Sequence, residues 1–284
     1  MQPADVEVAV AEGVRLHVRS WPGSRTPPFL LVHGLSSNAR LWDEVAGHLS
    51  ATGHPSYAVD LRSHGESDAP EQGYDTATAA RDLAMLAGGL ELAPAVVVGQ
   101  SWGGNVVARF AATHPEAVAA VALVDGGWID LSTDFDSWEA CAAALRPPEI
   151  DGQRADELRQ WMRSSHGDWS PTAIEATLAN LRTEPDGRLS RRLSIPRHMQ
   201  IVRSMWDDPP WPDLAKISAP TLLLPAVPAG EQGSHRRRAQ VAKAAAALSQ
   251  ATVREYVGAD HDLHAQHPQR LAEDLLTLAD GGAG

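Results

Sequence analysis

The chain has 284 residues, 43% of them hydrophobic, and 24 Lys plus Arg stand against 36 Asp plus Glu. The resulting charge of −12 repels phosphate backbones and anionic lipid, which argues against nucleic acid and membranes as partners. The hydrophobic share argues against wholesale disorder. Cys141 is the one cysteine and has no internal disulfide partner, as expected in a reducing compartment. The opening residues carry Asp5 and Glu7 and no long apolar run. Neither a signal peptide nor a spanning helix is read there, and the expectation is a soluble, cytoplasmic protein.

Val6, Val8 and Val10 alternate with polar residues, as do Val14, Leu16 and Val18 beyond Glu12-Gly13. That period of two around a turn predicts an antiparallel hairpin. The pattern then changes to short apolar runs, each leading into a helical segment. Phe29 to Val32 precedes a helix over 39–52 that Gly53 ends, and Tyr57-Ala58-Val59 precedes a helix over 76–90. Ala95 to Val98 leads into a helix over 102–113, and Val118 to Val124 is a further buried run. Residues 128–215 break the rhythm with prolines (Pro147-Pro148, Pro171, Pro196, Pro209-Pro210) and six of the nine tryptophans. They read as a helical insertion without strands. Thr221 to Leu224 and Thr252 to Val257 then read as strands, and 268–278 as the last helix. Continuous apolar strands between helices imply a mostly parallel sheet covered on both faces.

Chemistry is concentrated in three places. Gly99-Gln100-Ser101-Trp102-Gly103, followed by Gly104, lies where strand changes to helix. A serine on so sharp a bend projects its hydroxyl above the sheet, and the glycines avoid collisions across the bend. Taken apart from that context, the same residues would be a helix cap in a glycine-rich turn. His33-Gly34-Leu35 ends the Phe29–Val32 strand, so the Leu35 and Trp102 amides are candidates for an oxyanion hole. His33 is expected to hold its loop by hydrogen bonds. Gly258-Ala259-Asp260-His261 follows the last strand and offers His261 as general base to Ser101. His264 and His267 compete for that role. A metal cluster of the three histidines lacks the carboxylates or cysteines of standard sites, so neither metal nor cofactor is expected.

His33-Gly34, the stretch Asp60-Leu61-Arg62-Ser63-His64-Gly65-Glu66-Ser67, the Ser101 bend, and Gly258 to His261 with Pro268 occur in the order of α/β-hydrolase fold enzymes, which this chain resembles. The resemblance implies an α/β architecture with a mostly parallel eight-stranded sheet and a lid after strand six. Residues 1–127 and 216–284 would form the core and 128–215 the lid, with the Asp60–Ser67 stretch structural. Many relatives carry the triad acid after strand seven, where this chain has Pro225 to Glu231 and no aspartate. Asp125, at the end of strand six, matches the placement in haloalkane dehalogenases and zearalenone-type lactonases. Glu231 is the alternative, as is the absence of either.

The reading that follows is a Ser101–His261–Asp125 hydrolase of a hydrophobic carboxylic ester or lactone, with a homodimer possible. Trp128, Trp161 and Trp206 of the insertion are the candidate substrate contacts. Arg159, Arg163, Arg191 and Arg192 could hold a carboxylate but read better as solvated faces. Dehalogenases and epoxide hydrolases of this fold use an aspartate at the bend, so Ser101 argues against both. Carbon–carbon hydrolysis, cyclisation, cofactor-free haloperoxidase chemistry and a non-catalytic binding protein on the same scaffold remain open.

Overall fold

The computed structural model describes residues 2–92 and 94–281. Eight strands form one sheet: β1 (Ala4–Ala11), β2 (Val14–Trp21), β3 (Phe29–Val32), β4 (Ser56–Val59), β5 (Ala95–Gln100), β6 (Val118–Val124), β7 (Thr221–Leu224) and β8 (Ala251–Val253). Their order is β1-β2-β4-β3-β5-β6-β7-β8. The β1–β2 hairpin and the β2–β4 pair are antiparallel, and every pairing from β4 to β8 is parallel. The chain runs outward from β3 to β4 and then back past β3 to β5. The carboxyl ends of β3 and β5 therefore flank the crevice where open α/β sheets hold their ligands.

The central strands are apolar throughout because alternate residues enter two different cores. Leu30, Val32, Val97, Val121 and Leu123 face α2 (Thr76–Gly89), α3 (Trp102–Thr113) and α10 (Glu231–Ala247). Phe29, Leu31, Val96, Val98 and Val124 face α1 (Asp43–Ala51) and α11 (Pro268–Ala279). A one-residue slip in β3 or β5 would exchange these faces, so the packing pins the register that positions the two crevice loops.

Between β6 and β7 the chain forms α4 (Leu131–Asp134), α5 (Trp138–Leu145), α6 (Ala155–Ser165), α7 (Pro171–Leu178), α8 (Ile195–Asp207) and α9 (Trp211–Leu214). Asn38 ties this segment to the β3 side by donating to Ala176 O (2.8 Å) and Asn180 Oδ1 (2.6 Å). Arg109 on α3 pairs with Asp208 and Asp213 on the insertion (2.9 and 2.5 Å). Two expectations are corrected. The insertion is not all helical: Leu181–Thr183 and Leu189–Arg191 pair as an antiparallel ribbon around Asp186-Gly187, with Gly187 at φ 80°. The last strand is not continuous: Ala251–Val253 pairs with β7, whereas Tyr256–Val257 pairs with Ala226–Val227. Pro225, which has no N–H to donate, lies between the two pairings.

The Asp60–Ser67 stretch forms a turn around a buried carboxylate. Asp60 accepts from Ala39 N (2.7 Å), Glu66 N (3.0 Å) and His17 Nδ1 (2.7 Å). A side chain at Gly65 would overlap this carboxylate, 2.1 Å away. Burial alone would raise the Asp60 pKa, but the His17 hydrogen bond and the two amides hold it below the ordinary value. We expect Asp60→Ala to lower stability by about 3 kcal/mol, since it orphans two buried amides and breaks a buried charged contact. The midpoint of urea unfolding checks this.

Candidate active site

Ser101 stands between β5 and α3 at φ 53° and ψ −125°, a region that only a constrained side chain occupies. Backbones crowd it on every side. A Cβ on Gly34 would lie 2.8 Å from Ser101 Cβ, one on Gly126 would lie 2.1 Å from Ser101 O, and one on Gly103 would lie 2.4 Å from His33 O. Glycine at these three positions lets the β3, β5 and β6 loops close on a common point.

The loop after β3 is held by an uncharged imidazole. Leu61 N–H donates to His33 Nε2 (3.0 Å), so the ring proton sits on Nδ1 and is given to Gly34 O (2.7 Å). Burial lowers the His33 pKa, which keeps the ring neutral. Leu35 follows Gly34, and neither its amide nor that of Trp102 is committed to a hydrogen bond among the described residues. The Trp102 indole is anchored beneath, donating to Thr76 Oγ1 (3.1 Å).

His261 and Asp125 come together across 136 positions of sequence, with His261 Nδ1 at 2.6 Å from Asp125 Oδ2. Asp125 is 1% exposed, holds φ 41°, and accepts a second hydrogen bond from Ala226 N (3.0 Å). Burial opposes charge on His261, but the Asp125 hydrogen bond and charge, with help from Asp262, raise its pKa above 6.5. Gln100 Nε2 reaches His261 O (3.4 Å) and Asp262 Oδ1 (3.3 Å), tying this loop to the residue before the serine. The part-exposed Ser101 hydroxyl has no hydrogen-bond partner among the described residues. Such contacts are often long in a resting site and tighten around substrate.

Glu231, the alternative acid, is exposed at the start of α10, so Asp125 is the carboxylate that meets His261. His264 is buried against Trp42 (4.7 Å between rings), and His267 packs on Tyr256 (5.8 Å). Among the described residues no group of three His, Cys, Asp or Glu is placed to hold a metal ion, and no helix is long and apolar enough to cross a membrane.

A cavity of about 300 Å³ lies between the sheet edge and the insertion. Ser36 and Ser37, just after Leu35, form one wall together with His64; Asp262, next to His261, lines it too. Ser101 and His261 lie outside its lining. Of the three tryptophans expected to meet substrate, Trp161 lines this cavity, 59% exposed. Trp128 and Trp206 do not: Trp128 is buried in the core beside α3, and Trp206 packs edge-on against Trp138 (6.1 Å). Trp169, which sequence reasoning passed over, lines the cavity beneath His166, their rings 4.2 Å apart.

Arg237 on α10 also escaped the sequence reading. Its Nη1 is 3.7 Å from Asp125 Oδ1, and its charge disfavours a protonated His261.

The family model described as alpha/beta hydrolase fold matches residues 27–268. The chain belongs to the α/β-hydrolase fold family. Among similar α/β-hydrolases, a non-heme chloroperoxidase of Streptomyces lividans is 27% identical, over 95% of this chain and 98% of its own. Lipase LipV of Mycobacterium tuberculosis is 32% identical, over 64% of this chain and 68% of its own. The crystal structure of E-2-(acetamidomethylene)succinate hydrolase superposes with a TM-score of 0.80 at 23% identity, covering 98% of this chain and 99% of that one. At that identity the likeness is one of fold.

The electrostatics of this α/β-hydrolase can be tested without turnover. In a titration of the His261 ring by NMR, we expect a midpoint above 6.5 in the native protein. Asp125→Asn should lower that midpoint, since it removes the negative partner of the imidazolium, and Arg237→Gln should raise it, since it removes the opposing charge.

Proposed function

We propose that the protein is a serine hydrolase that cleaves hydrophobic carboxylic esters or lactones through an acyl-enzyme. The observation that carries this reading is the 2.6 Å contact of Asp125 with His261 at the sheet edge where Ser101 stands on its strained bend. Because Nδ1–H is given to Asp125, the lone pair of His261 lies on Nε2, the nitrogen free to accept the Ser101 proton. Ser101 Oγ attacks the carbonyl carbon as that proton leaves. The negative charge that develops on the carbonyl oxygen is received by the Leu35 and Trp102 amides. Collapse of the tetrahedral intermediate breaks the bond to the alcohol, which takes the proton from His261. Water repeats the sequence on the acyl-enzyme and releases the acid.

The substrate side of the reading rests on the cavity, whose walls include Ile150, Leu158, Met162, Leu181 and Leu193. In this reading the insertion acts as a lid. A second use of the same acyl-enzyme, transfer to hydrogen peroxide, is favoured by the likeness to a chloroperoxidase over 95% of the chain. Peracid formation from an ester and peroxide tests it.

Ser101→Ala is expected to abolish hydrolysis of an aryl ester and labelling by a fluorophosphonate, with circular dichroism unchanged; hydrolysis that persists in this variant would falsify the assignment. Asp125→Asn should reduce kcat at least about a hundredfold and Glu231→Gln only marginally, and steady-state kinetics would expose the reverse ranking. Since the base must be neutral, kcat/KM is expected to fall as the pH drops through the raised pKa of His261, with the acid limb above 6.5.

A further inference from the structure

We propose that the cavity binds an ionised carboxyl group, so that the substrate is an ester whose acyl portion carries a second, anionic end. This inference rests on the hydrolase reading for the ester half and on the residues below for the anionic half.

Arg191, on the second strand of the insertion's ribbon, lines the cavity and is half-buried. Other arginines of the insertion have acidic partners: Arg159 pairs with Glu175 (2.7 Å), Arg154 with Asp156 (3.0 Å) and Arg192 with Glu66 (2.7 Å). Among the described residues the Arg191 guanidinium has no carboxylate within 4.0 Å. Nη2 donates to Pro148 O, and the Nε–H is buried without a partner. In a chain carrying a net charge of −12, the Arg191 guanidinium is a half-buried cation beside an apolar cavity that pairs with no carboxylate among the described residues. Its main-chain N–H is given to Asp151 (3.0 Å), and an anionic group offers the guanidinium a partner.

The neighbouring groups agree. The Trp169 indole N–H and the Arg192 Nε–H belong to residues of the same lining and are also buried without partners. A carboxylate has two oxygens and about four acceptor positions, enough to receive several such donors at once. The opposite charge sits elsewhere: Asp262 enters the lining from the loop that carries His261. A ligand with one anionic end is therefore turned with that end toward the ribbon and its ester toward the serine. Between the two, Leu158, Met162, Leu181 and Leu193 accommodate an alkyl or aryl linker. The volume of about 300 Å³ is at the small end for ligand sites, which suits a short diacid monoester.

The test separates this site from the chemistry. In a Ser101→Ala background, calorimetry compares monomethyl adipate, which carries one carboxylate, with neutral dimethyl adipate. The monoanion is expected to bind at least about tenfold more tightly, the scale of one charge-assisted hydrogen bond. Arg191→Gln should erase that preference, Arg191→Lys should keep part of it, and Trp169→Phe should weaken it while preserving the ring. Arg182→Gln, an exposed arginine of the same ribbon, should leave it unchanged. Equal binding of the two esters, or a preference that survives both Arg191→Gln and Trp169→Phe, overturns the anion site. Turnover by the chain with Ser101 intact is read in parallel. A preference for the monoanion without hydrolysis of any ester leaves the site standing and removes the hydrolase reading; hydrolysis of both esters without preference does the opposite.

Discussion

Ser101 is held at φ 53° and ψ −125°, which costs about 1–3 kcal/mol in an isolated backbone. Its surroundings leave it no alternative. β5 is paired on both edges, by β3 and β6, and α3 buries Val106, Val107 and Phe110 directly behind the bend. The chain must turn within one residue, and the tightness of that turn brings the loops after β3 and β6 within reach of the serine. A methyl group at Gly34 or Gly126 would collide with Ser101 itself, so these positions determine whether the uncommitted amides and the hydroxyl share one point. The proposed chemistry depends on that shared point more than on any single side chain.

The Asp125–His261 pair depends on the same construction. Asp125 follows β6, and its positive φ of 41° is the start of the turn that brings Gly126 against the serine. One carboxylate oxygen is engaged by Ala226 N and the other by His261. Arg237 stands off at 3.7 Å, too far for a tight hydrogen bond but near enough to oppose the imidazolium. The ring is thus set between a carboxylate that favours its charge and a guanidinium that does not. Its basicity is set by burial working against the Asp125 and Asp262 charges, with Arg237 a smaller opposing charge from outside the loop.

Much of this arrangement can be read from residue order because it is local. The span of α3 and the runs Phe29 to Val32, Val118 to Val124 and Thr221 to Leu224 match the observed elements, since two-sided burial leaves an uninterrupted apolar signature. The strand-to-helix switch at Gly99–Gly104 marks the bend for the same reason. What escaped the reading depends on contacts between distant segments. The acid did not escape it: the place of Asp125 after strand six favoured it over Glu231, and Asp125 is the carboxylate that meets His261. Arg237 lies on α10, whose polar sequence gives no hint that one side chain turns inward. The ribbon of Leu181–Thr183 and Leu189–Arg191 is too short and too polar to show a period of two. Tryptophan count drew attention to Trp128 and Trp206, but large rings serve packing as readily as recognition, and these two pack.

The fold also relies on imidazoles that must stay uncharged. His64, its Nδ1–H given to Arg62 O (2.9 Å), and His264, pressed against Trp42, are both buried, and burial drives their pKa values down to about 3 and about 4. In the unfolded chain each would take up a proton near pH 6.5. Between that value and the folded ones, acid favours unfolding, because the open chain binds protons that the closed one refuses. Mild acidity therefore erodes the molecule from within, at residues remote from solvent, well before most carboxylates titrate.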